Sequence, residues 1–265
     1  MAVIHFLGTC SGTEPMPGMH HCCVVLETGG QFYWFDAGES CSYTAHTGGL
    51  NVLNIRSIFI SHPHIDHIGG LANLFQCMKK LVSRGHGRMI HDGQVDIYFP
   101  GLSTLQAVKQ ISSVSKSMTP GSGSGVELLE HELTDGPIFR DDHISVTALH
   151  NGHLKEDGSN GWHSYSFLIE TAGKRIIFSG DVASPEELDP FVKEGCDLLI
   201  METGHHKVTD VCAYASSRNI PRLRFNHHGR EIIEERERWE SYTAEYAAAH
   251  NISIVICKDG RTEEI

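Results

Sequence analysis

The chain has 265 residues, 40% of them apolar and 20% charged, as in an ordinary soluble globular protein, and that length holds one large domain or two small ones. Acidic residues outnumber Lys and Arg by 33 to 21, a formal net charge of −12, and such a surface repels nucleic-acid backbones wherever no local basic patch offsets it. No apolar stretch approaches the ~20 residues of a membrane span, and the opening "MAVIHFLGTC" lacks the basic and long apolar regions of a secretory signal.

The N-terminal part reads as strands and turns. "VIHFLG" is a short apolar run, and "GTCSGTEPMPGMHH" is a loop rich in Gly and Pro. "CCVVLET" and "QFYWFDAG" are strand-like and meet at Gly29–Gly30, a hairpin signal. "IRSIFI" is a buried strand. Apolar residues at 71, 74, 75, 78 and 81 predict a helix within 69–84, whose exposed face could serve a homodimer. "VDIYFP" predicts a strand and "LSTLQAVKQISSV" a helix. "TPGSGSG", 119–125, reads as a flexible loop that does not divide the chain, because strand and helix signals continue on both sides.

"ISVTALH", "SYSFLIET" and "KRIIFSGD" read as strands, the last two joined at Ala172–Gly173. "SPEELDPFVKEG" begins a helix with Ser184 as its cap and acidic residues in its first turn. "CDLLIME" is a buried strand, "VTDVCAYASSRN" a helix and "PRLRFNH" another strand. Residues 231–249 read as a long helix with Ile232, Trp239, Tyr242 and Tyr246 on one face, and "ISIVIC" as a closing strand. Strands dominate each half and helices fall between them. That pattern predicts a single domain, 1–265, of stacked sheets with helices outside.

The cysteines, at 10, 22, 23, 41, 77, 196, 212 and 257, form no CxxC pair, so neither a zinc ribbon nor a thioredoxin-like motif is signalled. They read as reduced thiols of a cytoplasmic protein. Histidine reaches 19 residues, which directs attention to metals.

"SHPHIDHIGG", 61–70, places His62, His64, Asp66 and His67 between a strand and a helix opening at Gly69–Gly70. Imidazole and carboxylate suit zinc, and also manganese or iron. So many ligands are too many for one catalytic metal that keeps a position open for water. They fit two neighbouring metals. A run of surface histidines would need neither the strand before it nor the acid within it. Further ligand types stand at other strand ends: Asp36 in "WFDAGE", His150 and His153 in "VTALHNGH", Asp181 in "IIFSGD", and His227 and His228 in "RLRFNHH".

With "SHPHIDH" as its signature, the chain resembles members of the metallo-β-lactamase fold superfamily. Within it, "FLGTCSGTEP", "DAGES", "METGHHKVTDVCAYASSRNIPRLRFNHHGRE" and "CKDG" resemble the ribonuclease Z family and its phosphodiesterase cousins. The resemblance covers most of the chain and is weakest over 80–145. It implies an α/β fold, a four-layer αββα sandwich of two mixed sheets flanked by helices, and two divalent metal ions, zinc by expectation. By position, one metal would take His62, His64 and His153 in preference to His150. The other would take Asp66, His67 and His227 in preference to His228, and Asp181 would bridge them. Asp36 would support the ligands from behind by hydrogen bonding. His205 would protonate the departing oxygen, Glu202 would orient it, and Asp66 would help hold the attacking hydroxide.

The sequence departs from ribonuclease Z in one respect. The span from His153 to Asp181 is 28 residues, largely filled by two strands, and leaves no room for the long arm that grips tRNA. The acidic balance points the same way. The expectation is a dinuclear metal-dependent hydrolase acting on a small phosphodiester, with nucleic acid admissible but tRNA disfavoured. The alternatives are an ester, thioester or lactam hydrolase on the same site, or a metal-binding protein without turnover.

Overall fold

The computed structural model describes residues 2–14, 16–113, 125–154 and 162–265, so the loop expected at 119–125 lies, apart from Gly125, outside the described residues. The chain opens with β1 (Ala2–Gly8), β2 (Cys23–Thr28) and β3 (Gln31–Phe35), then α1 (Cys41–Thr47) and β4 (Ile55–Phe59). A short α2 (Ile65–Ile68) and α3 (Leu71–Ser83) lead to β5 (Gln94–Phe99), and α4 (Leu102–Ser113) precedes β6 (Glu127–Glu132). The second half runs β7 (Gly136–Arg140), β8 (Ile144–His150), β9 (Tyr165–Thr171), β10 (Lys174–Phe178), α5 (Asp189–Val192), β11 (Leu198–Thr203) and α6 (Val208–Ser217). It closes with β12 (Arg222–His228), α7 (Arg230–Glu234), α8 (Arg236–His250), β13 (Ser253–Ile256) and β14 (Arg261–Glu264).

The described strands form two seven-stranded sheets, ordered β14-β1-β2-β3-β4-β5-β6 and β13-β12-β11-β10-β9-β8-β7. Each is mixed: β3 to β6 run parallel in one, β10 to β13 in the other. Strand alternation builds the layers. In β3, Phe32 and Trp34 face the helices while Tyr33 and Phe35 face the other sheet. In β11, Leu198 and Ile200 face the first sheet while Leu199 and Met201 face helices α5 to α8. Three buried clusters therefore separate four layers, the αββα arrangement. Among the described residues, no helix is long and apolar enough to cross a membrane.

Some elements differ from the sequence reading. The helix expected over 231–249 breaks at Glu235, whose φ of −126° and ψ of 38° leave the helical region. Ile232 and Trp239 are still buried together, with Tyr242 and Tyr246 packed against them. The helix begun by Ser184 is one 3₁₀ turn, Pro185–Leu188, under a capping box with Glu187, followed by α5. The chain does not end on β13, because β14 returns to pair with β1 in the first sheet.

That return is locked by charge. Arg224 of β12, 4% exposed, and its neighbour Arg222 both bond the carboxylate of Glu263 on β14, tying the second sheet to the first. Burial works against the Glu263 charge, yet the two guanidiniums hold its pKa down at about 2, against an ordinary 4.5. A depressed carboxylate stabilises the fold above its unfolded pKa, and that contribution is lost as pH falls through the folded value. Glu263→Gln should therefore lower stability by about 3 kcal/mol at neutral pH. In denaturant titrations the gap from the parent should stay constant above pH 4.5 and close toward pH 2. A gap independent of pH would refute the assignment.

Candidate metal centre

The parallel strands bring their carboxyl ends to one edge of the sandwich, where ligands collect in open α/β sheets. β3 runs out at Asp36, β4 at Ser61–His62, β10 at Asp181, β11 at Glu202 and β12 at His227. The single turn of α2, entered from an extended His64, swings Asp66 and His67 back toward the same point. In β12 the ladder pairs Glu202 with Asn226 but Thr203 with His228, so His227 is the extra residue of a bulge, with φ at 49°. The bulge sends neighbouring histidines to different places. His227 enters the site, whereas His228 donates to the Cys257 carbonyl at 2.8 Å and lies 3.2 Å from the Thr203 hydroxyl. Burial pushes the His228 imidazole down to about 3, so it is neutral.

Two groups of donor atoms result. In the first, His64 Nδ1 lies 3.0 Å from His62 Nε2 and 3.3 Å from His153 Nε2, and Asp181 Oδ2 is 3.7 Å from each of those Nε2 atoms. In the second, His227 Nε2 lies 3.1 Å from His67 Nε2 and 3.0 Å from Asp66 Oδ2. Asp181 Oδ1 faces this group, 3.5 Å from His67 Nε2 and 3.3 Å from His227 Nδ1. Asp181 therefore presents one oxygen to each group. His150 lies apart, its ring stacked on Trp162 and its Nδ1 held by Asp135 at 2.6 Å.

The chemistry of this donor set fits divalent cations. Asp181 Oδ1 and His227 Nδ1 are buried and make no hydrogen bond, a costly state that a cation would relieve. Electrostatics agree. Burial and the surrounding imidazoles push His62 well down, leaving it neutral with a lone pair to give. Burial also opposes charge on His67 and His227, but Asp181, with Asp36 beside His67 and Asp66 beside His227, raises both, His227 to about 9. Carboxylates that favour a proton on these rings favour a metal ion there for the same reason. Bound cations and protons then compete for the same lone pairs.

Asp36, wholly buried and at φ 60°, holds the ligands in place. Its Oδ2 accepts His67 Nδ1 at 2.7 Å, which aims His67 Nε2 into the site, and its Oδ1 accepts the Ser61 amide at 2.7 Å. The Ser61 hydroxyl donates to Asp36 at 2.8 Å and lies 3.0 Å from His62 Nδ1. Ser61 was not among the candidates, although it stands one residue before the motif's opening histidine.

Glu202 is almost wholly buried and is engaged by the loop that follows it. Its Oε2 accepts the His205 amide at 2.9 Å, and its Oε1 lies 3.1 Å from His205 Nδ1 and 3.3 Å from His206 Nε2. His206 also donates to the Val182 carbonyl at 3.0 Å, tying this loop to the residue after Asp181, a link no spacing rule signals. His205 is half-exposed, 3.6 Å from Asp181 Oδ2, and its pKa is raised by the Glu202 hydrogen bond. It lines a cleft of about 380 Å³ together with Gly12, Thr13, Ile65 and Asp66. The loop over this cleft is anchored by Asp259 of "CKDG", which accepts from the Thr9 and His20 amides at 2.9 and 2.6 Å. A Cβ at Gly12 would sit 3.1 Å from the Asp66 carboxylate, so a larger residue there would crowd that side chain.

The chain is similar to known proteins in sequence and in fold. A family model described as a beta-lactamase superfamily domain matches residues 35–228, a span that contains every metal-ligand candidate. A ribonuclease Z from Metallosphaera sedula is 25% identical over 86% of this chain and 88% of its own. The crystal structure of YhfI, a metallo-β-lactamase fold protein from Bacillus subtilis, superposes with a TM-score of 0.73 at 16% identity, covering 99% of this chain and 98% of that one. The short form of human tRNase Z superposes with a TM-score of 0.69 at 20% identity, covering 99% of both chains. With its two facing sheets and the histidines and carboxylates at one edge, the chain belongs to the beta-lactamase superfamily.

Proposed function

We propose that this protein is a dinuclear metal-dependent phosphodiesterase acting on a small phosphodiester. The observation that carries the reading is Asp181, a buried carboxylate with one oxygen toward each group of imidazoles. In this reading His62, His64 and His153 hold one ion, and Asp66, His67 and His227 the other, with Asp181 shared. The nitrogen-rich set favours zinc and accommodates manganese or iron. Such ions, when bound, would supply a more acidic water and electrostatic stabilisation of the phosphate oxygens.

The chain's own residues supply the rest. Asp66, between His67 and His227, orients the attacking water. Asp36 and Ser61 keep His67 and His62 in register. His205, half-exposed in the cleft and with its pKa raised by the Glu202 hydrogen bond, delivers a proton to the departing oxygen. A ribonuclease Z relative aligned over 86% of the chain supports a phosphodiester as electrophile. A small substrate is favoured because β9 and β10 fill most of the span between His153 and Asp181, and because the net charge is −12.

Metal analysis of protein purified without chelator should find about two divalent ions per chain, with turnover of bis(p-nitrophenyl) phosphate. Asp181→Ala should lose metal and turnover together. A variant that kept both would overturn the site, and turnover of esters or lactams alone would replace the phosphodiester reading. Asp36→Asn should weaken metal affinity by roughly 10- to 100-fold, read by chelator competition, while leaving the fold intact. His205→Ala should slow cleavage of an alkyl phosphodiester by about 100-fold or more and spare p-nitrophenyl substrates, whose leaving group needs no proton. Equal losses on both would remove His205 as the acid.

A further inference from the structure

Beside the cleft, on the same edge of the sandwich, lies a cavity of about 720 Å³ that the chemistry above does not use. Its walls include Trp162, Tyr165, Leu133, Thr134, Glu132 and Gly101. Trp162 is 41% exposed, unusual for so large an apolar surface. It is not loose. One side of its indole stacks on His150, with ring centroids 3.9 Å apart and planes at 17°. His150 is fixed in turn by Asp135, which takes its amide at 2.7 Å and its Nδ1 at 2.6 Å. A braced aromatic that stays half in water is a platform for stacking.

One wall residue of the cavity is tied to the candidate metal centre. Tyr165 donates its amide to the carbonyl of Ser61, the residue before His62, at 2.9 Å. His150 and His153 are three residues apart in sequence, so their Cα atoms lie within ~11 Å of each other. That bound, with Trp162 stacked on His150, is the geometric basis for placing a ring on Trp162 when its phosphate lies near His153. Glu132, exposed on the cavity wall, offers a carboxylate that accepts N–H donors and repels a second phosphate.

We infer that Trp162, braced by His150, is a subsite for the nucleobase of a nucleotide phosphodiester, stacking a ring that carries exocyclic N–H donors. The inference rests on the phosphodiesterase reading for its placement, and it assigns the substrate class to that site. Stacking on an aromatic platform suits any base, and the Glu132 carboxylate biases the choice toward adenine, guanine or cytosine.

The test is binding without turnover, on the full-length metal-loaded protein. Trp34 and Trp239 are buried at 0% and 7% exposure, so a stacking ligand should quench chiefly the Trp162 emission. Adenosine 5′-monophosphate should quench it and bind about tenfold more tightly than ribose 5-phosphate, which has no base. Trp162→Ala should erase that preference, and Trp162→Phe should keep most of it. Equal affinity for the two probes in the parent protein, or an undiminished preference in Trp162→Ala, would overturn the subsite. Loss of the preference in both variants would also overturn it, by reducing Trp162 to a packing role. Base-dependent binding with no diester cleavage would instead count against the phosphodiesterase reading alone.

Discussion

Asp181 has 1% of its surface in contact with water, and a carboxylate so placed keeps its charge only where positive charge or donors face it. The surrounding architecture meets that demand. Imidazoles reach Asp181 from α2, from the segment after β8, from the loop after β11 and from the bulge in β12. Burial works against its charge, and His227 and His67 hold its pKa low all the same. Protons on those rings could balance it at one pH, but shared protons make a weak and pH-dependent core. Divalent cations would balance it over the whole range in which the surrounding groups stay deprotonated, and so dense a donor cluster suits them.

Strained backbone sits where this balance is struck. Asp36, Gly180 and His227 have φ values of 60°, 56° and 49°, and each stands next to or within the cluster. Each unusual conformation costs of order 1–3 kcal/mol for a residue with a side chain, and it persists because neighbours over-determine it. At Asp36 the neighbours are the Ser61 amide and hydroxyl, and at His227 the displaced β12 ladder. At Gly180 a Cβ would lie 2.8 Å from the Ser61 Cβ and the Tyr165 carbonyl, so glycine is enforced by space as well as by φ. Ser61 thus touches Asp36, sits against Gly180 and carries Tyr165 on its carbonyl. It couples the cluster to the neighbouring cavity through hydrogen bonds that composition does not display.

How much of this was legible in the sequence follows from how local each signal is. "SHPHIDH" could be read because its candidate ligands stand close together in sequence, and the stacked sheets because strands dominate each half with helices between them. Partners that depend on register were harder. His227 and His228 are indistinguishable by type, and only the bulge after Asn226 separates them. Position relative to β8, with the family resemblance, favoured His153 over His150, but the Asp135 side chain that holds His150 aside is a contact no spacing reveals. The strands β6 and β14 were not read, because their burial is mixed and their residues are polar, as edge strands tend to be. Ser61 and His206 act through hydrogen bonds alone, and no periodicity announces such a role.

The surface and the site pull in opposite directions, and that tension bears on the size of the substrate. A net charge of −12 disfavours long polyanions, whose binding accumulates over many phosphates along a basic track. It disfavours a single phosphodiester far less, since exposed charges are screened beyond about 8 Å at physiological ionic strength. In the proposed reading the sign reverses within the cleft, where ions on the histidines would present concentrated positive charge to one phosphate group. On that reading, an anion short enough to reach that charge without running along the acidic surface is favoured over one that must drape across it. Such a discrimination would lie in the surface and so persist whatever metal the centre held.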